Sequence, residues 1–251
     1  MCTLLLSFQH HPGTSLVVAA NRDERLDRPA TAPRLWLDRP LRVLAPEDLE
    51  AGGTWMGLNE AGLFAGLTNR FVQGPDPGRV DPQRPSRGGL VLEALTHASA
   101  AGAREALAHL PGDRHNPFHL LLADAEEAHL VWSDGWKLHC EVLAPGLHIL
   151  TERSRGAAPS RREEALGRWS PELTELRPGL AEHRSPGIEG TCVHWPERNY
   201  GTRSSALLVL GKSGDHRFEY TEGPPCTAPW QDGTELLAQL GFLSGTQSVA
   251  K

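Results

Sequence analysis

The sequence lacks the features that several large classes of protein require. No run approaches the roughly 20 apolar residues of a membrane-spanning helix, and no basic region precedes the short apolar run 4–6, so we expect neither a transmembrane segment nor a signal peptide. The net charge is −6, and no basic stripe alternates with aromatic residues, which argues against a nucleic-acid partner. We therefore expect a cytoplasmic protein with a small-molecule ligand, and we leave its oligomeric state open.

Cysteine is scarce and widely spaced. The four cysteines are Cys2, Cys140, Cys192 and Cys226, and the absence of a C-x-x-C pair argues against a disulfide scaffold and against a zinc ribbon. Cys192 and His194 are separated by one residue, but the sequence shows no second pair to complete a four-ligand set. Dinucleotide-binding, P-loop and G-x-S-x-G motifs are also lacking. The sequence pattern therefore predicts no metal site and no cofactor.

What the sequence does contain is a series of strand pairs separated by helical blocks. Apolar runs predict strands at 2–8, 16–20, two within 52–70, two within 118–134, and at 137–142, 147–151, 201–210 and 218–222. Periodicity predicts helices at 86–110, 158–169 and 234–240, and prolines mark 28–46 as irregular. Hairpins interrupted by helices are typical of an α+β fold, with helices packed on the outer faces of antiparallel sheets.

The second residue of the chain is a candidate nucleophile. Removal of Met1 would leave Cys2 with a thiol and a free α-amino group, whose ordinary pKa values are about 8.5 and 7.7–8.0. The amine can then act as the base for the thiol of the same residue, which is the N-terminal nucleophile arrangement. The alternative is a small apolar residue at the start of a buried strand.

Polar residues that suit such a nucleophile follow two predicted strands. The apolar run 16–20 ends abruptly in Asn21–Glu24, where Asp23 could hold the α-amino group and Arg22 could depress the thiol pKa or bind a substrate carbonyl or carboxylate. Asn69 follows the apolar strand that ends residues 52–70, and an Asn amide is a common donor to a developing oxyanion. A charged turn and a strand-end cap are the structural alternatives.

Four sequence segments carry a resemblance to a known family. MCTLL, AANRDER, GGTWMGLNEAGLFAGLTNR and YGTRSSALLVL occur in this order between residue 1 and about residue 210. Together they resemble the NRDE family, the family of transport and Golgi organisation protein 2. That family is similar to the N-terminal nucleophile hydrolases of the bile salt hydrolase and penicillin V acylase type. The resemblance implies a four-layer αββα sandwich of two antiparallel sheets and a single domain spanning residues 1–251.

The resemblance also implies roles for individual residues. Cys2 would be the nucleophile, Asp23 would lie near its α-amino group, and Asn69 would lie in the oxyanion hole. Arg203, in YGTRSSALL, matches a later arginine of those hydrolases. Arg22 is predicted to be a further catalytic residue.

Two departures from the hydrolase pattern bear on activity. Arg22 and Asp23 are adjacent here, whereas those hydrolases separate the two residue types. Glu152, in HILTER, stands where a second catalytic Asn is usual, and an ionised Glu cannot donate a hydrogen bond to an oxyanion. Hydrolysis would then use one side-chain donor plus main-chain N–H groups, or the substrate is cationic, or hydrolysis has been lost.

Two functions follow from these observations. The first is a cysteine amidohydrolase, acting on C–N bonds other than peptide bonds in a small amide or acyl compound. The second is a non-hydrolytic trafficking protein that binds haem or a lipid or acyl-CoA, with haem as a bound ligand and His10, His11 and His194 among the candidate axial ligands, none of them singled out by spacing. Under either function the substrate-binding residues are predicted to be Asn21, Glu24, Trp55 and Glu152. Trp132, Trp136 and Trp195 could also line a pocket or could fill the core. A protein without a pocket is a third possibility, which the polar and glycine-rich motifs disfavour.

Overall fold

Two seven-stranded antiparallel sheets dominate the fold. The computed structural model describes residues 2–71, 81–155, 176–183, 187–188 and 190–243. The first sheet contains β1 (Cys2–Phe8), β2 (Thr14–Arg25), β10 (Gly146–Leu150), β11 (His194–Trp195), β12 (Tyr200–Gly211), β13 (Arg217–Thr221) and β14 (Gln231–Asp232), in the order β10-β1-β2-β12-β13-β14 with β11 paired to β12. The second sheet contains β3 (Arg34–Trp36), β4 (Val43–Ala45), β5 (Met56–Asn59), β6 (Phe64–Asn69), β7 (Phe118–Ala123), β8 (Ala128–Ser133) and β9 (Leu138–Val142), in sequence order.

Helices cover the outer faces of both sheets. Helices α1 (Gly88–Ala94) and α2 (Ala100–Leu107) share an apolar cluster with the second sheet. Helix α3 (Leu176–Ala181) packs on the outer face of the first sheet. Helix α4 (Thr234–Leu240) contacts β3, β4 and β13 at an edge of the core between the sheets. The layers are therefore helix, sheet, sheet, helix, which confirms the predicted αββα sandwich.

Strand alternation distributes the apolar side chains between the layers. On β1, Leu4 and Leu6 enter the core between the two sheets, whereas Leu5 packs beneath α3. Successive side chains of a strand point to opposite faces, so a strand covered on both faces has a continuous apolar run. This explains why CTLLLSF and LVVAA have no polar alternation.

The prediction of one continuous helix over 86–110 is wrong, because the chain turns between α1 and α2. The amide of Asn59 donates to the carbonyls of Leu95 at 3.0 Å and His97 at 2.7 Å, which takes these groups out of a helical ladder. Ser99 then caps α2 by accepting a hydrogen bond from a main-chain N–H of its first turn.

Three further differences separate the structure from the sequence prediction. The strand predicted at 16–20 is longer than expected and forms β2 (Thr14–Arg25). Asn21–Glu24 therefore lie inside the first sheet and not in a turn after it. Strands β3 and β4 lie in the stretch 28–46 that the prolines marked as irregular. The helix predicted at 158–169 lies outside the described residues. Among the helices that the structure describes, none is long and apolar enough to cross a membrane.

Candidate functional site

The candidate nucleophile lies at the start of β1, opposite an arginine. Cys2 pairs with Arg22 in the β1–β2 ladder, and directly opposed residues of an antiparallel pair point to the same face. That face is the one on which Leu4 and Leu6 enter the core between the sheets. The register therefore directs both Cys2 and Arg22 towards the space between the sheets.

The surroundings of Cys2 act on its thiol in opposite directions. Burial raises the pKa of Cys2 above its ordinary value, and the carboxylate of Asp23 acts in the same direction. The main-chain N–H of Asp23 and the guanidinium of Arg22 oppose this increase. Arg87, which precedes α1, also lies near Cys2. Burial lowers the pKa of Arg87, and the negative charge of a Cys2 thiolate would act in the opposite direction. In the full 251-residue chain the thiol is therefore protonated at neutral pH, and activation needs a base.

Arg22 is buried but has an uncommitted donor. Its side chain is 5% exposed, and Nη2 lies 3.7 Å from Oδ2 of Asp48. The guanidinium carbon lies 4.2 Å from the ring centre of Trp55, a cation–π contact. Burial lowers the pKa of Arg22, and its Nη2 makes no hydrogen bond to any residue that the structure describes. A buried donor of this kind is available to an anionic or carbonyl oxygen of a ligand.

Asp23 lies on the opposite face of β2. Its Oδ1 accepts a hydrogen bond from Oγ1 of Thr202 at 2.6 Å, and its main-chain carbonyl accepts one from the hydroxyl of Tyr200 at 2.8 Å. The side chain is buried. Asp23 therefore hydrogen-bonds to Cys2 through its main chain, while its carboxylate is held by β12 and acts on the Cys2 thiol only through its charge.

Asn21 fastens the outer helix to the sheet. Its Nδ2 donates to the carbonyls of Leu180 at 2.9 Å and Thr191 at 2.8 Å, and its Oδ1 accepts from the hydroxyl of Ser205. The structure places this amide on the face of β2 that is directed away from Arg22. Glu24 lies at the partly exposed end of the strand, where its Oε2 is 3.4 Å from Arg28.

The ends of β6 and β10 bring Asn69 and Glu152 to one region. The N–H of Phe71 donates to the carbonyl of Glu152 at 2.6 Å, and β10 pairs with β1, so Glu152 lies at the same end of the first sheet as Cys2. Asn69 is the last residue of β6, and strand alternation places it on the helix-covered face together with Leu67. Glu152 is 8% exposed.

A buried histidine joins these two strand ends. Nδ1 of His119 lies 3.0 Å from the hydroxyl of Thr68, and its Nε2 lies 2.7 Å from the carbonyl of Ser154. Because a carbonyl only accepts, Nε2 carries the proton and Nδ1 accepts from Thr68. Burial lowers the pKa of His119 from 6.5 to about 3, so the ring is neutral in the folded protein at neutral pH.

We expect this histidine to make stability depend on pH. The unfolded chain binds a proton at His119 below about pH 6.5, whereas the folded chain resists protonation down to about pH 3. The contribution is therefore complete above pH 6.5 and is lost as the pH falls, at up to about 1.4 kcal/mol per pH unit. Urea unfolding of the wild type and of His119→Gln between about pH 4.5 and 7.5 should give a steeper loss in the wild type. Parallel curves would contradict the assignment.

A cavity of about 170 Å³ lies between the two sheets, with Arg22 and Trp55 on its wall. Its apolar wall is formed by Ala20, Leu44, Met56, Leu58, Phe64, Ala206, Leu208 and Phe218. Arg203 also lines it, at the irregularity between Thr202 and Ser204 where β12 shifts register against β2. Nε of Arg203 is buried without a hydrogen-bond partner among the described residues. The cavity thus combines apolar walls with donors from two arginines.

Comparison with known sequences gives the family. Residues 1–162 match the family described as Transport and Golgi organisation 2. The chain belongs to this family. It is 33% identical over 260 residues to the Transport and Golgi organization protein 2 homolog of Bos taurus, across 87% of this chain and 91% of the bovine protein. The Homo sapiens homolog is 32% identical over 134 residues, which are 51% of this chain and 47% of the human protein. The predicted NRDE membership is confirmed.

Solved structures similar to this family member belong to hydrolases. Penicillin V acylase from Agrobacterium tumefaciens aligns with a TM-score of 0.54 at 16% identity, covering 93% of this chain and 87% of that one. The Caenorhabditis elegans ortholog of N-acylethanolamine-hydrolyzing acid amidase aligns with a TM-score of 0.56 at 14% identity, covering 86% and 96%. A mutant of conjugated bile acid hydrolase from Clostridium perfringens aligns with a TM-score of 0.51 at 14% identity, covering 94% and 93%. These likenesses confirm the predicted N-terminal nucleophile hydrolase fold.

The structure therefore gathers some of the predicted site residues in this Transport and Golgi organisation 2 family member and separates others. Cys2, Arg22, Trp55 and Arg203 belong to one region at or beside the cavity, through the β1–β2 register and the cavity wall. Trp132, Trp136 and Trp195 are not on that wall. Sequence reasoning missed four residues that position the site: Arg87, Asp48, Thr202 and His119. They come from distant segments. Thr202 lies within the quoted segment YGTRSSALLVL, but no local pattern marks the role of any of the four.

Proposed function

We propose that this protein is an amidohydrolase that uses Cys2 as an N-terminal nucleophile on a small N-acyl compound. The observation that carries the proposal is the position of Cys2, which is the first residue of β1 and pairs with Arg22, a residue of the cavity wall. The fold is the one found in penicillin V acylase and in the acid amidase ortholog, which supports the reaction class. The catalytic assignments of Asn69, Asp23 and Arg203 remain predictions within this proposal.

The reaction begins with the mature N-terminus. Once Met1 is removed, the α-amino group of Cys2 takes the thiol proton, and the thiolate attacks the amide carbon. The carbonyl oxygen becomes an oxyanion, which needs hydrogen-bond donors. Strand alternation places Asn69 on the helix-covered face of β6, so its predicted role would require its amide to reach round the strand end, and main-chain N–H groups are the alternative donors. The C–N bond breaks as the amine leaves with the proton from the α-amino group. A water molecule then attacks the thioester, releases the acid and regenerates Cys2.

The cavity favours a substrate that combines an apolar group with a negative charge. Arg22 and Arg203 each place in buried surroundings a guanidinium nitrogen that makes no hydrogen bond within the described chain, and Arg binds carboxylate and phosphate oxygens by paired hydrogen bonds. An apolar cavity of about 150 Å³ holds a group the size of benzene, so the 170 Å³ here suits a short acyl or aromatic group. We infer N-acyl compounds with an acidic headgroup.

The same cavity supports a second candidate, which is binding without hydrolysis. A ligand that places a short apolar group in the cavity and acidic groups against the two arginines would bind without needing Cys2. Haem and acyl-CoA carry such groups, but each is larger than this cavity, so only part of either would be enclosed. The buried carboxylate of Glu152, in the place of a hydrogen-bond donor, favours this candidate because it cannot stabilise an oxyanion when ionised.

The N-terminus provides the test that separates the two candidates. Protein with the native start, shown by intact mass to lack Met1, is compared with protein that carries extra residues before Cys2. Amine release from N-acyl amino acids and neutral N-acyl amides is expected from the first form and to fall by at least ~10²-fold in the second, because the catalytic base is lost. Equal turnover by both forms would refute the mechanism. Ligand binding by both forms without turnover by either would support the second candidate.

A further inference from the structure

Four side chains that can bind a metal converge behind the first sheet. Cys192 and His194 lie at β11, His183 follows α3, and Cys226 lies beyond β13. Sγ of Cys192 is 3.6 Å from Sγ of Cys226 and 3.3 Å from Nε2 of His194, which is 3.1 Å from Sγ of Cys226. The ligand atoms of His183, His194 and Cys226 lie within 4.8 Å of one another. The fold thus supplies the second pair that is not apparent in the sequence.

The sulfur–sulfur separation is close to that of a tetrahedral zinc site, and the two sulfur–nitrogen separations, 3.3 and 3.1 Å, are somewhat shorter than the tetrahedral value. Bonds of about 2.3 Å from zinc to sulfur and 2.0–2.1 Å from zinc to nitrogen place two sulfur ligands about 3.8 Å apart and a sulfur and a nitrogen about 3.5 Å apart. The sulfur–sulfur distance of 3.6 Å between Cys192 and Cys226 is close to that edge. The same distance is far from the roughly 2.05 Å of a disulfide bond, and both cysteines are free. Two thiolates and two imidazoles are a set that zinc commonly takes.

We propose that His183, Cys192, His194 and Cys226 bind one zinc ion. The ion is structural, because four protein ligands close its coordination shell and leave no position for a substrate. His183 is exposed, so its ring can rotate to complete the tetrahedron. Cys192 is 1% exposed and provides the buried ligand of the site. The inference does not depend on the proposed hydrolysis.

The position of the ion suggests what it stabilises. The N–H of Cys192 donates to the carbonyl of Glu182 at 2.9 Å, and the N–H of Val193 donates to Oγ1 of Thr202 at 2.7 Å. The hydroxyl of Thr202 in turn donates to Asp23. Zinc would therefore hold the segment that carries β11 against β12, and through Thr202 would fix the carboxylate of Asp23.

Zinc content of the full chain tests the proposal. The protein is produced with zinc in the medium, purified without chelators, and analysed by inductively coupled plasma mass spectrometry. About one zinc per chain is expected for a single closed site. Cys226→Ser and His194→Gln, which replace partly exposed residues, should each lower the zinc affinity by at least ~100-fold. Cys140→Ser, which changes the exposed cysteine of β9, is the matched control and should keep its zinc.

A second measurement needs no variant. Wild-type protein stripped by a chelator is titrated with Co²⁺, and thiolate-to-cobalt charge-transfer absorption should rise to a single equivalent and disappear when Zn²⁺ is added. Purified protein without zinc that also gives no such absorption would overturn the proposal. So would zinc content that is unchanged in both ligand variants, or a Cys192–Cys226 disulfide in protein that fails to bind either metal after reduction.

Discussion

Replacement of Cys2 by alanine is expected to lower kcat/KM for the N-acyl substrate by at least ~10³-fold, because removal of a nucleophile eliminates the covalent pathway. The side chain is small and lies at the end of β1, where Cys2 is only partly buried. Alanine at this position should therefore leave the fold intact. Binding of an acidic N-acyl ligand should also persist, because Arg22 and Arg203 are unchanged. The measurement is amine release under single-turnover and steady-state conditions.

The control for this prediction is another free cysteine. Cys140 is exposed on β9, so Cys140→Ala should keep wild-type turnover and should separate loss of the nucleophile from general thiol effects. Cys2→Ser tests the chemistry further. A hydroxyl is a weaker nucleophile than a thiol near neutral pH, so this variant should also turn over more slowly than the wild type. Turnover of Cys2→Ala within about tenfold of wild type would be incompatible with covalent catalysis by this residue.

Replacement of Asn21 by alanine is expected to lower the free energy of unfolding by about 3–5 kcal/mol, since each buried group left without its partner costs about 1–3 kcal/mol. Three groups lose their partner: the carbonyls of Leu180 and Thr191 and the hydroxyl of Ser205. Asn21 is 1% exposed, so water cannot easily replace the amide. Urea unfolding followed by circular dichroism measures the loss.

A neighbouring residue of the same motif provides the contrast. Glu24 is partly exposed and pairs with Arg28, and an ion pair of this kind contributes less than about 1 kcal/mol. Glu24→Ala should therefore leave the unfolding midpoint almost unchanged. A comparable loss of unfolding free energy in both variants would contradict this contrast, because it would mean that the exposed ion pair of Glu24 stabilises the fold as much as the buried hydrogen bonds of Asn21. A loss below about 1 kcal/mol in Asn21→Ala would show that the hydrogen bonds from Asn21 to α3 and to its neighbours contribute little to stability.

The parts of the fold that sequence predicts well are those in which one segment determines its own structure. The runs CTLLLSF and GLNEAGLFAGLTN form β1, β5 and β6 as predicted, because apolar content and a turn around Asn59 suffice. The break between α1 and α2 could not be predicted in this way. It depends on the amide of Asn59, which is 36 residues from Leu95 in the chain.

The same distinction, between features set by one segment and features set by tertiary contacts, holds for the candidate site. The residues themselves pointed to Cys2 and Arg22, the resemblance added Arg203, and the first sheet brings the three to one region. The partners of these residues are set by tertiary structure alone: Asp48 approaches Arg22 from a loop, and Thr202 meets Asp23 through strand pairing. Asn21 was predicted to bind substrate because it lies in a polar motif. Strand alternation, which becomes visible only when β2 is seen to continue through the motif, places its amide against α3.

The order of strands also determines the order in which the chain can assemble. The second sheet uses a contiguous stretch, from β3 to β9, with neighbours in space that are neighbours in sequence, and such local pairing forms quickly. The first sheet must wait, because β1 pairs with β10 and β2 pairs with β12, which lie far along the chain. During synthesis at about 5–20 residues per second, β1 and β2 remain without these partners for many seconds. We therefore expect the nucleophile-bearing sheet to be the late step of folding, and chaperones and the peptidase that removes Met1 to have access to the N-terminus throughout that interval.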